Sequence, residues 1–240
     1  MLSKSQIKLI TSLKQKKYRQ RHHLFVVEGI KTITELLQSD LELYTIYTTV
    51  SFNIDAKNEV LISETDLKRI SFLTTPNKAL AIFKVPEVKT IKNKGLVIAL
   101  DAVRDPGNLG TIIRLCDWFG VENLVCSKET VDCYNPKVIQ ATMGSITRVN
   151  ISYVDLVKFL KTFDGRVYGA FMEGDNVYKS SLAQTGVVVM GNEANGISKE
   201  VEATISNKLS IPRFGDLQVT ESLNVATATA ILLSEFRRGS

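Results

Sequence analysis

The sequence predicts an α/β protein in two parts: a small N-terminal α/β domain, then a larger one built on a doubly wound, mostly parallel sheet. Three observations carry this reading. Strand-length apolar runs alternate with helix-period segments along the chain, the pattern of layered α/β structure. Past residue 95 the strand runs are continuously apolar, as in a parallel sheet buried on both faces. Charge is also divided unevenly. The 240 residues carry a net charge of +5, yet residues 1–95 hold 16 Lys+Arg against 9 Asp+Glu, and residues 96–240 hold 14 against 16. The whole basic excess lies in the first part, as in a polyanion-binding module joined to a near-neutral one.

In the first part, Ile7, Ile10 and Leu13 lie at helical spacing among lysines and predict an amphipathic helix over Ser5–Lys17. Leu24–Gly29 reads as a strand, IKTITELLQS as a helix and LYTIYTT as a strand. VLIS leads into a helix whose start is capped by Ser63 and Asp66. Ala79–Val85 is another strand. The charged segment Lys84–Gly95 breaks the apolar pattern on both sides and reads as a linker, which sets the domains at 1–90 and 96–240.

In the second part, GLVIALDAV, NLVCS, RVNISYV, RVYGAFM, TGVVVMGNE and KLSIP are strands. Between them NLGTIIRLCDWFG, closed by Gly120, PKVIQATMGS, DLVKFLKTF and Ser198–Ile205 are helices, and SLNVATATAILLSEFRR ends the chain. A ligand of such a sheet belongs beyond the carboxyl ends of its strands.

Composition excludes several function classes. No apolar run reaches the ~18 residues of a membrane span. The N-terminus lacks the apolar stretch of a secretory signal. Cys116, Cys126 and Cys133 have neither disulfide-framework nor CxxC spacing, which fits free thiols in a reducing cytoplasm. The two histidines, His22 and His23, are adjacent in a basic stretch, so no histidine-based metal site is expected.

Three loops at strand ends carry the chemistry. The first, Asp101–Arg114, has neither GxGxxG nor GxxxxGK[ST], which removes the nucleotide-binding dehydrogenase reading. Asn108 is either a helix N-cap or a site residue. Arg114 falls among Ile112, Ile113 and Leu115, as either a snorkelling edge residue or a functional charge in an apolar setting. The second, Val187–Ser198, has Gly191 and Gly196, whose missing side chains allow a ligand to approach or a plain tight turn; Glu193 between them caps the next helix or serves the site. The third, Ser210–Ala226, follows Ile211–Pro212 and opens a helix at Ser222 and Asn224.

Taken together, the loops resemble the three signature motifs of the SpoU/TrmH family of RNA 2′-O-ribose methyltransferases. Asn108, Leu109, Gly110 and Arg114 match the first, Gly191, Glu193 and Gly196 the second, and Ile211, Pro212 and Ser222–Val225 the third. Lys16–Leu37 resembles the substrate-binding domain often fused ahead of it. The connection from Pro212 to Ser222 is longer than the family's usual one, and Arg213 stands where an apolar or small residue is common.

The resemblance implies a SPOUT fold with a C-terminal trefoil knot, a homodimer with sites shared between protomers, and no metal. It implies S-adenosylmethionine as cofactor, held around Met190, Gly191, Ile211, Pro212 and Leu223. It implies Arg114 as the orienting catalytic charge, with Ser222 and Asn224 bonding the reacting nucleotide and Asn108 and Glu193 shaping the site. Arg is normally fully protonated, so an orienting role is preferred to that of a base. The expected substrate is ribosomal RNA. Transfer RNA, or a catalytically inactive RNA-binding or ribosome-assembly protein, are the alternatives. Of the basic run before Glu28, Lys14, Lys16, Lys17, Arg19 and Arg21 are the expected phosphate contacts, against the plain alternative of a solvated helix face.

Overall fold

The computed structural model describes residues 2–91, 95–215 and 222–238. In chain order the elements are α1 (Lys4–Ser12), α2 (Lys16–His22), β1 (Leu24–Glu28), α3 (Ile30–Leu37), β2 (Leu43–Thr48), β3 (Glu59–Leu61), α4 (Glu64–Ile70), β4 (Ala79–Lys84), β5 (Leu96–Leu100) and α5 (Pro106–Trp118). There follow β6 (Asn123–Ser127), α6 (Pro136–Thr142), β7 (Asn150–Val154), α7 (Leu156–Thr162), β8 (Val167–Phe171), β9 (Asp175–Asn176), β10 (Gly186–Met190), α8 (Lys199–Glu202), β11 (Asn207–Ser210) and α9 (Val225–Arg237). They form two compact units: residues 1–87 with 132–147, and residues 88–131 with 148–240.

The first unit holds a sheet in the order β1-β4-β2-β3. β4 runs antiparallel to both β1 and β2, while β3 runs parallel to β2. Leu24, Val26, Tyr47, Leu80 and Ile82 share one apolar cluster with Ile10 and Leu13 from the chain start and Leu67 and Ile70 from α4. Ser63 caps α4 by accepting from the Asp66 amide, as the spacing predicts.

The single helix expected over Ser5–Lys17 is two helices. Leu13 is the C-cap of α1, and Gln15 is extended before α2 begins. The Arg19 guanidinium fills the break by donating to the Leu13 and Lys14 carbonyls at 2.8 and 2.9 Å, where carbonyls at a helix end lack intrahelical partners. Its Nε also donates to Asp132 at 2.9 Å. This brings in 132–147, a segment that the sequence reading placed in the second domain. Its helix α6 packs on β1, and the rings of Phe25 and Tyr134 lie 4.7 Å apart. An aromatic and a carboxylate supply the attachment, and neither shows in a linear hydropathy pattern.

The second unit holds a parallel sheet in the order β7-β6-β5-β10-β8-β11-β9. β5, β6 and β10 are buried along their whole length, which accounts for their unbroken apolar runs. β10 lies between β5 and β8, with Met190 level with Leu100, so the loops after β5 and β10 leave the sheet side by side. β11 lies beside β8 and delivers the third loop at the same edge. Two short elements differ from expectation. β9 has two residues, below the length at which periodicity is readable. α8 stops at Glu202 instead of running to Ile205, and the Thr204 hydroxyl bonds the Val201 carbonyl at 2.6 Å.

Candidate active site

At the carboxyl ends of β5 and β10 the first two loops are bonded to each other. The Asp101 amide donates to the Met190 carbonyl at 2.9 Å, and the Asp101 carboxylate accepts from the Ser198 amide at 2.7 Å. Asn192 Nδ2 donates to the Ala102 carbonyl at 2.6 Å, while its Oδ1 accepts from the Ala194 and Asn195 amides. Asn192 and Gly196 exchange both backbone hydrogen bonds, at 2.8 and 2.9 Å. Gly196 takes φ +67°, and a Cβ on Gly191 would collide with the backbone of Gly196 and Ile197. Both glycines are therefore needed for the tight hairpin itself.

Asp105, not Asn108, caps α5. Its carboxylate accepts from the Asn108 amide at 2.8 Å, and Pro106 opens the helix, where a missing N–H costs nothing. Asn108 is thereby freed for a different role. Its Nδ2 donates to Glu193 at 3.0 Å and its Oδ1 accepts from Asn224 Nδ2 at 2.8 Å. Glu193 does not cap α8; it also accepts from the Arg104 and Asp105 amides, at 3.3 and 3.2 Å. Asn224 is the N-cap of α9, accepting from the Ala226 and Thr227 amides. One chain of side chains, Glu193–Asn108–Asn224, thus ties all three loops together. Partial burial pushes the Glu193 carboxyl up, but the hydrogen bonds from Asn108 and the loop amides outweigh it and hold the group below the usual glutamate value.

The second and third loops, with Ala170–Glu173 at the end of β8, line a cavity of about 1350 Å3, and the first loop braces them from outside its lining. Met190, Gly191, Ile211, Pro212 and Leu223 all line it, as do Glu193, Ser222 and Asn224. The volume exceeds the ~300–1,000 Å3 of ordinary small-molecule sites, leaving room for a cofactor and part of a second substrate. Its wall joins apolar strand ends, Met190, Leu209 and Ile211, to the backbone of the 191–197 hairpin. Those surfaces suit a molecule that pairs an aromatic base with a polar amino-acid tail, so the residues present fit S-adenosylmethionine.

Two arginines are placed differently from the sequence reading. Arg114 is exposed, and it does not line the cavity. Leu109, Ile112, Ile113 and Cys116 take the inward face of α5, so position 114 points away from it. Arg19, expected at RNA phosphate, is 3% exposed and engaged with Asp132 and two carbonyls. Lys14, Lys16, Lys17 and Arg21 are exposed. Three organising residues were missed in the sequence. Asp105 carried a readable signal, an Asp just ahead of a helix-opening Pro. Asp101 carried none, because its partner Ser198 is distant in sequence; Asn192 carried only the signal of a local turn with Ala194 and Asn195, not its bond to Ala102. Among the described residues no group of three or more His, Cys, Asp or Glu side chains could hold a metal ion, and no helix is long and apolar enough to cross a membrane.

A parallel α/β sheet whose strand-end loops are clipped together beside one large cavity, without a glycine-rich phosphate fingerprint, defines a cofactor-binding enzyme outside the common nucleotide-binding class. The chain belongs to the SpoU rRNA Methylase family, whose model matches residues 95–234. Residues 4–81 match the MRM3-like substrate binding domain. The chain is 31% identical over 237 residues, 94% of it and 93% of the relative, to the 23S rRNA (guanosine(2553)-2'-O)-methyltransferase RlmP of Bacillus subtilis. A TrmH-family structure from Porphyromonas gingivalis superposes with a TM-score of 0.90 at 41% identity, covering 100% of both chains. An AdoMet-bound rRNA methyltransferase from Sinorhizobium meliloti superposes with a TM-score of 0.88 at 28% identity, covering 99% of this chain and 97% of that one.

Proposed function

We propose that this protein transfers a methyl group from S-adenosylmethionine to a ribose 2′-hydroxyl of ribosomal RNA. The observation that carries the reading is the Glu193–Asn108–Asn224 chain, which ties the first family motif to the two that line the cavity. Bound there, S-adenosylmethionine supplies a methyl group already activated by its sulfonium. The residues of this chain then have to bring a weakly nucleophilic hydroxyl into line and help it lose a proton. Ser222, exposed at the cavity, is placed to hydrogen-bond the incoming nucleotide. Asn108 and Asn224 each use one amide N–H on the loop network and keep the second, since an amide nitrogen carries two. Their first task is to fix the loop positions.

Arg114 enters from a second copy of the chain. Its place outside its own cavity lining supports a homodimer in which α5 carries the guanidinium to the partner's site. There it orients the ribose or an adjoining phosphate as a permanent charge. Lys14, Lys16, Lys17 and Arg21, exposed on the first unit, hold RNA phosphates without reading sequence. Residues 1–90 as the RNA-holding domain, 96–240 as the catalytic one, a trefoil knot in its C-terminal part and a cytoplasmic location complete the reading.

Calorimetry with S-adenosylmethionine, followed by transfer of a labelled methyl group to unmethylated 23S rRNA, tests the proposal. Saturable cofactor binding and alkali-resistant labelled dinucleotides are expected, because a 2′-O-methyl group blocks alkaline cleavage. Label confined to bases, or no transfer, would refute it.

A further inference from the structure

The loop between β11 and α9 carries a feature that the methyl-transfer chemistry leaves unused. Phe214 is 82% exposed, although it lies two residues after Pro212 and its neighbours Arg213 and Gly215 line the cavity with Ser222, Leu223 and Asn224. Its ring is not isolated. The Tyr178 ring lies 6.3 Å away with the planes 35° apart. Tyr178 is fixed from beneath: its amide donates to Asn176 Oδ1 at 2.9 Å, and Val177 beside it is 1% exposed. An anchored tyrosine therefore backs a phenylalanine whose surface is open to solvent, at the mouth of the cavity.

We propose that Phe214, backed by Tyr178, is a stacking platform for a base of the RNA substrate next to the ribose that reacts. The inference rests on the function proposed above. A 2′-hydroxyl reaches a strand-end cavity only if its nucleotide leaves the helical stack, and the displaced or adjoining base then loses its stacking partner. An aromatic ring at the cavity mouth replaces that partner and accepts any base, since every base presents a π face. Arg213 beside the ring adds a positive charge, the pairing of cation and aromatic face that suits a nucleic-acid strand.

Steady-state methylation of unmethylated 23S rRNA by wild type and by Phe214→Ala, Phe214→Leu and Phe214→Trp tests the inference. S-adenosylmethionine affinity and sedimentation serve as controls. Phe214→Ala is expected to raise the KM for RNA about tenfold with little change in kcat or in cofactor affinity. Phe214→Trp should restore the KM, and Phe214→Leu should not, because it keeps the apolar bulk but lacks the π face. An unchanged KM in Phe214→Ala, or full function in Phe214→Leu, overturns the platform. A change of oligomeric state in Phe214→Ala that tracks the loss of activity also overturns it, and assigns the ring to a contact between protein copies. Absence of transfer by the wild type defeats instead the parent reading, and this inference with it.

Discussion

In the first unit Arg19 is 3% exposed and spends its guanidinium on Asp132 and the carbonyls of Leu13 and Lys14. In the second, Arg114 stands exposed on α5, outside the cavity lining of its own chain. The same side chain is a structural clamp in one unit and an available charge in the other. A buried, hydrogen-bonded guanidinium is committed to the fold, because releasing it strands both a charge and its acceptors. An exposed one has no such commitment and can be placed by a partner molecule.

Arg114→Ala is the sharpest way to break this comparison. It should lower kcat about a hundredfold or more, the cost of losing the alignment of reacting groups. Unfolding stability should stay within about 0.5 kcal/mol of wild type, as for surface positions generally. Arg114→Lys should recover only part of the rate, since one ammonium cannot copy a planar fork. A large drop in melting temperature for Arg114→Ala would make it structural after all.

Arg19→Ala should do the reverse. Loss of the buried partner of Asp132 should cost about 3 kcal/mol in denaturant unfolding. S-adenosylmethionine affinity should be unaffected. Loss of RNA affinity in a variant of unchanged stability would return Arg19 to the phosphate-binding face.

How far these roles were readable depended on sequence distance. The strand ends and the motif residues of the three loops were legible, because apolar runs and punctuating residues are local signals. The helical period also held the answer for Arg114. Ile112, Ile113 and Cys116 define an inward face, and a residue 200° around from Ile112 faces away. The cap alternative for Asn108 came from starting α5 too late; Asp105–Pro106 begins it one turn earlier, which leaves the Asn108 side chain to the loop network. Arg19 could not be read at all, since its carboxylate partner is 113 residues away. For the same reason the contacts of 132–147 with β1 and Arg19 were not readable, although the family model spans this segment with the rest of 95–234.

Two smaller effects sharpen the picture within the second unit. Gly191→Ala should weaken S-adenosylmethionine binding about tenfold, because its Cβ forces the 191–197 hairpin to shift by an amount typical of overpacked sites. Calorimetry measures this directly, and unchanged affinity would move the cofactor away from the hairpin.

Glu193→Gln should show a pH signature. The folded carboxyl is held below its ordinary value, so its contribution is present above the ordinary glutamate range and is lost as pH falls through the lowered value. The stability difference between wild type and Glu193→Gln should therefore be largest near neutrality and vanish in acid. Its size should stay below about 1 kcal/mol, because Glu193 is solvent-screened. A difference independent of pH would show that the carboxylate charge is not what ties the loops.

The central claim, that the clipped cavity methylates ribose in ribosomal RNA, is tested most directly by mapping alkali-resistant positions in rRNA from cells with and without this gene. The account predicts that a 2′-O-methylated ribose present with the gene is absent without it, and returns on re-expression of the wild type but not of Arg114→Ala. Identical maps with and without the gene would contradict it.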